Sequence, residues 1–442
     1  MSNEWPLVSI DEIKAPLENA LSTGPFGSSI SSRFFKDSGV PVIRGGNLSE
    51  NIRIRLSDDG LVFLDQEKAN EFKRCSVHEG DLIFTCWGTI GQVGLIDKRS
   101  KYSEYIISNK QMKLTPDTKI ADSLFLYYVF SGPEFSDAAK SQSIGSSVPG
   151  FNFGQLKSLC FRLPPLQIQR RIAHVLGTLD DRIELNRRMN ATLKAMARAL
   201  FRSWFVDFDP VRAKVEGRQP AGMDEATAAL FPDEFEESEL GEIPKGWSIG
   251  SLEQIAVNPR RGVLPGGFPS DTPYIGLEHM PRRSIGIGDW GSAIDVQSNK
   301  FSFKQGECLF GKLRPYFHKV CIAPVDSVCS TDILVITHQT KVWSSFILML
   351  VSSDEFVDFT TSASTGTKMP RTSWEIMTRY PVVLPPENIA STFEAMTQAA
   401  LNQIVRNIHE SRTLAALRDA FLPRILSGEL PVNATATSAG DA

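Results

Sequence analysis

At 442 residues, with 42 % hydrophobic and 22 % charged residues, the chain has room for two or three cored domains of ordinary globular composition. A net charge of −4 argues against a uniformly basic nucleic-acid binder, and the longest apolar run, FILMLV at 346–351, is too short to cross a bilayer. Six cysteines (Cys75, Cys86, Cys160, Cys308, Cys321, Cys329) show no C-x-x-C spacing and read as reduced, mostly buried thiols of a cytosolic protein.

The opening segment, MSNEWPLVSIDEI, has no basic region followed by an apolar run, so no signal peptide is expected. Residues 1–162 carry short apolar runs broken by turn signals, such as PVIRGG, GDLIF and GLIDK. Residues 246–383 repeat the style with YIGLEH, CLFGKL and DILVIT. Both stretches predict irregular mixed α/β parts rich in loops, with short helices around Ser123–Phe130 and Trp343–Val351.

Between these parts, Leu166 to about Phe205 holds no proline and one glycine. Ile172, Leu176, Leu179, Ile183, Asn186, Asn190, Leu193, Ala197, Leu200 and Trp204 alternate by four and three, a heptad seam that argues for a coiled coil. Arg170, Arg171, Asp181, Arg182, Glu184, Arg187 and Arg188 fall outside the seam. The rival reading is a pair of ordinary core helices, each packed on its own domain. Residues 219–244 then hold eight acids and no Lys or Arg; setting those eight aside turns −4 into +4 for the rest of the chain. That stretch reads as an acidic connector, with disorder as the alternative.

The chain is internally repeated. Pro149 matches Pro370 at an offset of 221, and the same offset pairs Gly145 with Gly366, Phe135 with Phe356, and Leu163-Pro164-Pro165 with Leu384-Pro385-Pro386. It continues without a gap through Ile183 and Ile404, Asn186 and Asn407, and Leu193 and Leu414. Upstream it drifts to 226 for EGDLIF and QGECLF, 232 for PVIRGG and PYIGLE, and 242 for Trp5 and Trp247. Each half is therefore a variable globular part followed by a length-locked helix. Carried across, the second seam runs Phe393, Thr397, Ala400, Ile404, Asn407, Ser411, Leu414, Arg418, Phe421 and Ile425, and is more polar. Polar residues inside a seam fix register. If the helices pair antiparallel about a pseudo-two-fold axis, Asn186 and Asn407 are expected to lie close together.

No catalytic constellation emerges. Gly306 to Leu313 fits G-x-x-x-x-G-K, but Leu313 replaces the magnesium-binding Ser/Thr and the middle reads as a strand. The glycines at 88, 91 and 94 read as turns. No Asn/Asp-Pro-Pro-aromatic motif is present, Glu12-Ile13-Lys14 lacks the flanking acids of a nuclease centre, and the six histidines have no metal-ligand spacing. The pattern favours binding over catalysis, with no cofactor or metal on this chain.

Loops mixing cations, aromatics and amides suit nucleic acid, because Lys and Arg neutralise phosphates and Arg can fork onto guanine. In the second half these are Arg260 and Arg261 in NPRRG, Arg282 and Arg283 in HMPRRS, Lys312, Arg314, Tyr316 and Lys319 in GKLRPYFHK, and Lys368 and Arg371 in TGTKMPR. The first-half candidates are Arg44, Asn47, Thr85, Trp87, Gln92 and Lys110.

The segments GPFGSSI (24–30), GVPVIRGGNL (39–48), LPPLQIQRRIAHVLGTLDDRIELNRRMN to LFRSWFVDFDPV (163–211), FPDEFEESELGEIPKGW (231–247) and LRDAFLPRILSGEL (417–430) resemble the DNA-specificity subunit of type I restriction–modification systems. The resemblance spans essentially the whole chain. It implies target recognition domains at 1–162 and 246–383, conserved helices at 163–206 and 384–430, an acidic linker at 207–245 and a disordered tail at 431–442. It implies an α+β fold in which two long antiparallel coiled-coil helices separate the recognition domains with pseudo-two-fold symmetry. It further implies a non-catalytic, cytoplasmic subunit that reads a bipartite, asymmetric duplex target. Its partners would be two modification (adenine methyltransferase) subunits and the restriction subunits, with S-adenosylmethionine, ATP and magnesium bound by those partners. A two-headed protein-binding adaptor and a fused restriction–modification polypeptide are the alternatives.

Overall fold

Apolar runs of three or four residues between glycine and acidic turn residues are too short for a stable helix and fold as strands. The computed structural model describes residues 5–27, 29–142, 150–366, 368–427 and 429. It divides into unit 1, Met1–Asp181 with Ala415–Ala442, and unit 2, Arg182–Leu414. The repeated SIGSSVPG passage lies outside the described residues except for Gly150, as does the tail 431–442.

In unit 1 the strands Leu21–Thr23, Gln111–Leu114, Leu82–Thr85 and Val93–Leu95 form one antiparallel sheet in that spatial order. A second sheet runs Val62–Leu64, Val40–Ile43, Tyr105–Ile107, Ser76–Val77, with its middle pair parallel. The helix Ser123–Phe130, capped by the Asp122 carboxylate on Phe125 N–H at 2.9 Å, buries Phe125, Leu126, Tyr127, Tyr128 and Phe130. Leu7–Ser9 pairs with Cys160–Arg162.

Unit 2 repeats this plan. Ala256–Val257, Ile333–His338, Cys308–Gly311 and Val320–Ile322 form the antiparallel sheet. The second sheet runs Gly291–Ser292, Pro273–Ile275, Ser327–Cys329, Lys300–Phe303, again with a parallel pair at its centre, and adds Gly262–Val263 at one edge. Ser248–Ser251 pairs with Pro381–Leu384 as the counterpart of the terminal pair, and the helix Ser344–Val351 matches Ser123–Phe130. The G-x-x-x-x-G-K segment is a strand, Cys308–Gly311.

Residues 207–245 are not an open connector. They form the helices Asp209–Val215 and Glu225–Ala229 and the hairpin Phe235–Ser238 with Gly241–Pro244, all within unit 2. The eight acids are exposed, while Phe208 and Phe231 enter the core, with ring centroids 5.7 Å from Trp247 and 5.0 Å from Trp204 respectively. Aromatic burial outweighs the charge that suggested a linker, because the acids stay in water and cost nothing.

Two helices of 40 residues, Leu166–Phe205 and Glu387–Leu426, contribute to both units. Inside unit 2 their facing positions run antiparallel. Asn186 Nδ2 donates to Glu410 Oε2 at 3.0 Å and Ser411 Oγ at 3.3 Å, and Asn407 Nδ2 donates to Asn190 Oδ1 at 2.8 Å. Asn186 and Asn407, expected to lie close together, each bond a different partner across the helix pair. Position 186 faces 411 and position 190 faces 407, so each asparagine meets the residue one helical turn beyond the other's. Arg182 closes this cluster on Glu410 at 2.8 Å.

Inside unit 1 the same two helices meet through a buried ion pair. Arg418 Nη1 lies 2.7 Å from Asp180 Oδ1, and the two side chains are 2 % and 1 % exposed. Tyr128 Oη donates to the other Asp180 oxygen at 2.6 Å, and Arg55 donates to Tyr128 Oη at 3.3 Å. Around them Ile172, Leu176, Leu422 and Ile425 are buried. All six cysteines are free thiols; five are buried, and burial pushes Cys86 up to about 11 and Cys321 and Cys329 up to about 12. Among the described residues no helix is long and apolar enough to cross a membrane.

Candidate nucleic-acid interface

In unit 2 the loop 312–319 joins the strands Cys308–Gly311 and Val320–Ile322. Main-chain bonds clasp it: Lys312 N–H to Asp332 O at 3.0 Å, Arg314 N–H to Pro370 O at 2.8 Å, and Thr372 N–H to Lys312 O at 3.0 Å. Leu313 and Arg371 form a β-bridge. Two basic stretches separated by 45 residues in sequence, GKLRPYFHK and TGTKMPR, are therefore one surface. The PRR turn joins them, with Arg283 N–H on His318 O at 2.9 Å and the Arg282 guanidinium 4.0 Å from the Phe317 ring.

Unit 1 has the same clasp. Cys86 N–H bonds Lys110 O at 2.8 Å, Phe151 N–H bonds Cys86 O at 2.9 Å, and Trp87 bridges Gly150. The Trp87 indole covers Gly150 so closely that a Cβ there would meet it at 2.8 Å, so only glycine fits beneath the ring.

A partly exposed carboxylate, Asp354, anchors a network that braces the unit 2 loop. Asp354 accepts from Arg198 at 2.5 Å and from Arg283 at 2.8 Å, and His318 Nδ1 lies 3.3 Å away. The bond from Arg198 holds the Asp354 carboxyl below its usual range. His318, 3 % exposed, also places Nε2 at 2.9 Å from Ser352 O, and burial pushes its imidazole down, so it is neutral at neutral pH. Arg198 and Lys194 belong to the first long helix, which thereby fixes the loop within unit 2.

The expected contact residues separate into two groups. Several are consumed by internal contacts, which the sequence could not show. Asn47 is 2 % exposed and gives its amide to Ser57 O and Asp59 O. Thr85 is buried in its strand, and Gln92 accepts from Thr89 at 2.7 Å. Arg261 forks onto the buried Glu307 at 2.8 Å through both nitrogens, and Lys319 gives its amine to Leu277 O at 2.5 Å while burial pushes that amine down. These five side chains have partners within the protein and contribute to the scaffold.

The others face outward. Lys110, Arg260 and Lys368 are exposed, and Trp87 and Tyr316 are about half exposed at 50 % and 48 %. Arg44 is exposed with one N–H on Gly60 O. Arg371 is loosely paired with Asp332 at 3.5 Å, and Lys312 and Arg314 are half-buried at the loop base. One candidate escaped the sequence reading: Phe26, 75 % exposed, in a segment whose Gly24 packs on the Ser108 backbone and whose Gly27 O accepts from Asn109. A phenylalanine flanked by glycine and proline was its only signal. Among the described residues no cluster of three or more His, Cys, Asp or Glu side chains is placed to hold a metal ion.

A family model described as type I restriction modification DNA specificity domain matches residues 27–195. The chain is 26 % identical to the type I restriction enzyme HindI specificity subunit of Haemophilus influenzae, covering 74 % of this chain and 81 % of that one. It is 24 % identical to the MjaIX specificity subunit of Methanocaldococcus jannaschii, with 81 % and 80 % covered. Among solved structures, the S subunit of a type I restriction–modification system from M. genitalium aligns over 95 % of this chain and 96 % of its own, with TM-score 0.52 and 14 % identity, a likeness of fold.

Proposed function

We propose that the chain is a type I restriction–modification specificity subunit and that it reads a split, asymmetric duplex target, one half through each unit. The observation that carries this reading is the loop built twice. Both units present an aromatic-bearing turn between two paired strands, held by the same main-chain bonds, with Lys110 clasped beside it in unit 1 and Lys312 and Arg314 within it in unit 2, on an otherwise unlike sequence. Two similar frames with different side chains suit two different half-sites. Outward Lys and Arg would neutralise phosphates, and the loop side chains would enter the major groove.

In this reading the chain itself is non-catalytic and works in the cytoplasm. The long helices pair as a coiled coil and dock two modification (adenine methyltransferase) subunits, to which restriction subunits are added. S-adenosylmethionine, ATP and magnesium belong to those partners. Helix length sets the unread spacer: adding four residues to both helices lengthens each by about 6 Å and changes the gap between half-sites.

Mapping methylated adenines in the host genome with and without this gene tests the reading. A single bipartite, asymmetric motif that vanishes with the gene is expected. Unchanged methylation, or binding to DNA that does not weaken with salt, favours a protein-binding adaptor instead.

A further inference from the structure

Five residues other than glycine adopt positive φ in unit 2: Phe208 beside the long helix, and Arg260, Arg283, Arg314 and His318 in the candidate recognition loops; the described recognition loops of unit 1 use glycine wherever φ is positive. Two of the four loop residues have counterparts that can be placed. The bridges Trp87 to Gly150 and Leu313 to Arg371 are equivalent, so the next residues, Gly88 and Arg314, are too. The pairs Phe84 with Val93 and Phe310 with Val320 place Gly91 and His318 alike, two residues before the returning strand. Gly88 has φ 91° and Gly91 φ 101°; Arg314 has φ 50° and His318 φ 53°. The corresponding turn, one residue longer in unit 2, is thus made with glycine at positive φ in unit 1 and with side chains in a left-handed backbone in unit 2. Such backbone strain persists where the side chain has a use.

His318 has one inside the protein, on Ser352 O and Asp354. Arg314 does not. Its Nε is buried without an acceptor, and no hydrogen-bond acceptor for the guanidinium occurs among the described residues. Its nearest aromatic is the Phe317 ring at 5.8 Å, which Arg282 and Tyr316 also contact. Neighbouring cations are engaged: Arg261 by Glu307, Arg283 by Asp354, Lys319 by Leu277 O. The backbone beneath Arg314 is pinned by Pro370 O. A phosphate contact needs no strained, pinned backbone, and the exposed Lys368 can supply one. A fixed guanidinium fork matches two acceptors on one base edge, the O6 and N7 of guanine.

We infer that Arg314 is the base-reading residue of unit 2 and forks onto a guanine in its half-site, an inference that rests on the DNA-reading function proposed above.

The test uses the full-length chain assembled with modification subunits and a duplex library randomised over the whole site. Arg314→Gly copies Gly88 and is expected to melt no lower than the parent. It should lose about tenfold in preference at one G·C pair of one half-site and leave the other half-site unchanged. Arg314→Lys keeps the charge without the planar fork, so it should keep the salt dependence while losing part of the same preference and of the affinity for the parent site. Lys368→Ala should weaken all sequences alike and keep every preference. The inference is overturned if both Arg314 variants select the parent's sequence, or if Arg314→Gly melts lower, which marks the side chain as a brace. A parent that selects no sequence at all removes the DNA-reading function and this inference with it, a result distinct from either of those.

Discussion

The two units share a frame but fill one central contact with opposite chemistry. In unit 1 the helix Ser123–Phe130 and the two long helices meet through Tyr128, Asp180 and Arg418. At the repeat offset the corresponding residues of unit 2 are Met349, Leu401 and Ala197, all buried in one apolar cluster. A geometry that hydrophobic packing satisfies in one half is satisfied by an ion pair in the other. The comparison teaches that the ion pair is not required by the fold. Its removal in part and in whole should therefore have very different consequences, because a lone buried charge is costly while an apolar replacement is not.

The largest effect expected follows directly. Asp180→Leu alone leaves the buried Arg418 with Asp419 as its remaining carboxylate and its Nη1 without an acceptor, and should cost about 3 kcal/mol in urea unfolding. The triple variant Y128M/D180L/R418A, which writes the unit 2 solution into unit 1, should regain most of that loss. A triple variant as unstable as the single one would break the comparison.

Next in size is the asparagine cluster. Asn407→Ala removes the partner of Asn190 Oδ1 and of Gln403, and should cost about 1–2 kcal/mol. Asn186→Ala should cost less, since its own carbonyl oxygen already lacks a donor. Equal losses in the two denaturation curves would show that the local symmetry is energetic as well as geometric.

The loops offer a smaller contrast. Gly88 has open space where a Cβ would sit, so Gly88→Ala tests backbone strain alone and should destabilise by about 1 kcal/mol by calorimetry. No loss would remove the distinction drawn between the two turns.

The smallest effect concerns pH. His318 titrates below its ordinary 6.5 because it is buried, so the unfolded chain binds the extra proton first. Stability should therefore fall as pH drops below about 6.5, and His318→Gln should flatten that part of the profile. Unit 1, with Gly91 at this position, has no corresponding group.

Much of the frame was legible because it rests on local pattern and repetition. The proline-free stretch from Leu166 gave the helix Leu166–Phe205, and GDLIF and CLFGKL became the paired central strands. The contact residues were less legible, because charge type says nothing about partners. Arg261 and Arg260 are neighbours of the same kind in sequence, yet Glu307, 46 positions away from Arg261, claims only one of them. Asn47 looked like an amide on a loop until Ser57 and Asp59 took both its protons. The acidic stretch misled for the converse reason: Phe208, Phe231 and Trp247 decide its fate, and net charge hid them.

The loops in both units are tied down through peptide N–H and C=O groups, at Cys86, Lys110 and Phe151 in one and Lys312, Asp332 and Thr372 in the other. Every amino acid but proline brings the same pair of groups, so this fastening is indifferent to the letters it secures. Vocabulary can then drift or be exchanged while the grammar of the scaffold stays put, and a new target word costs substitutions at the tip without a redesign of the head.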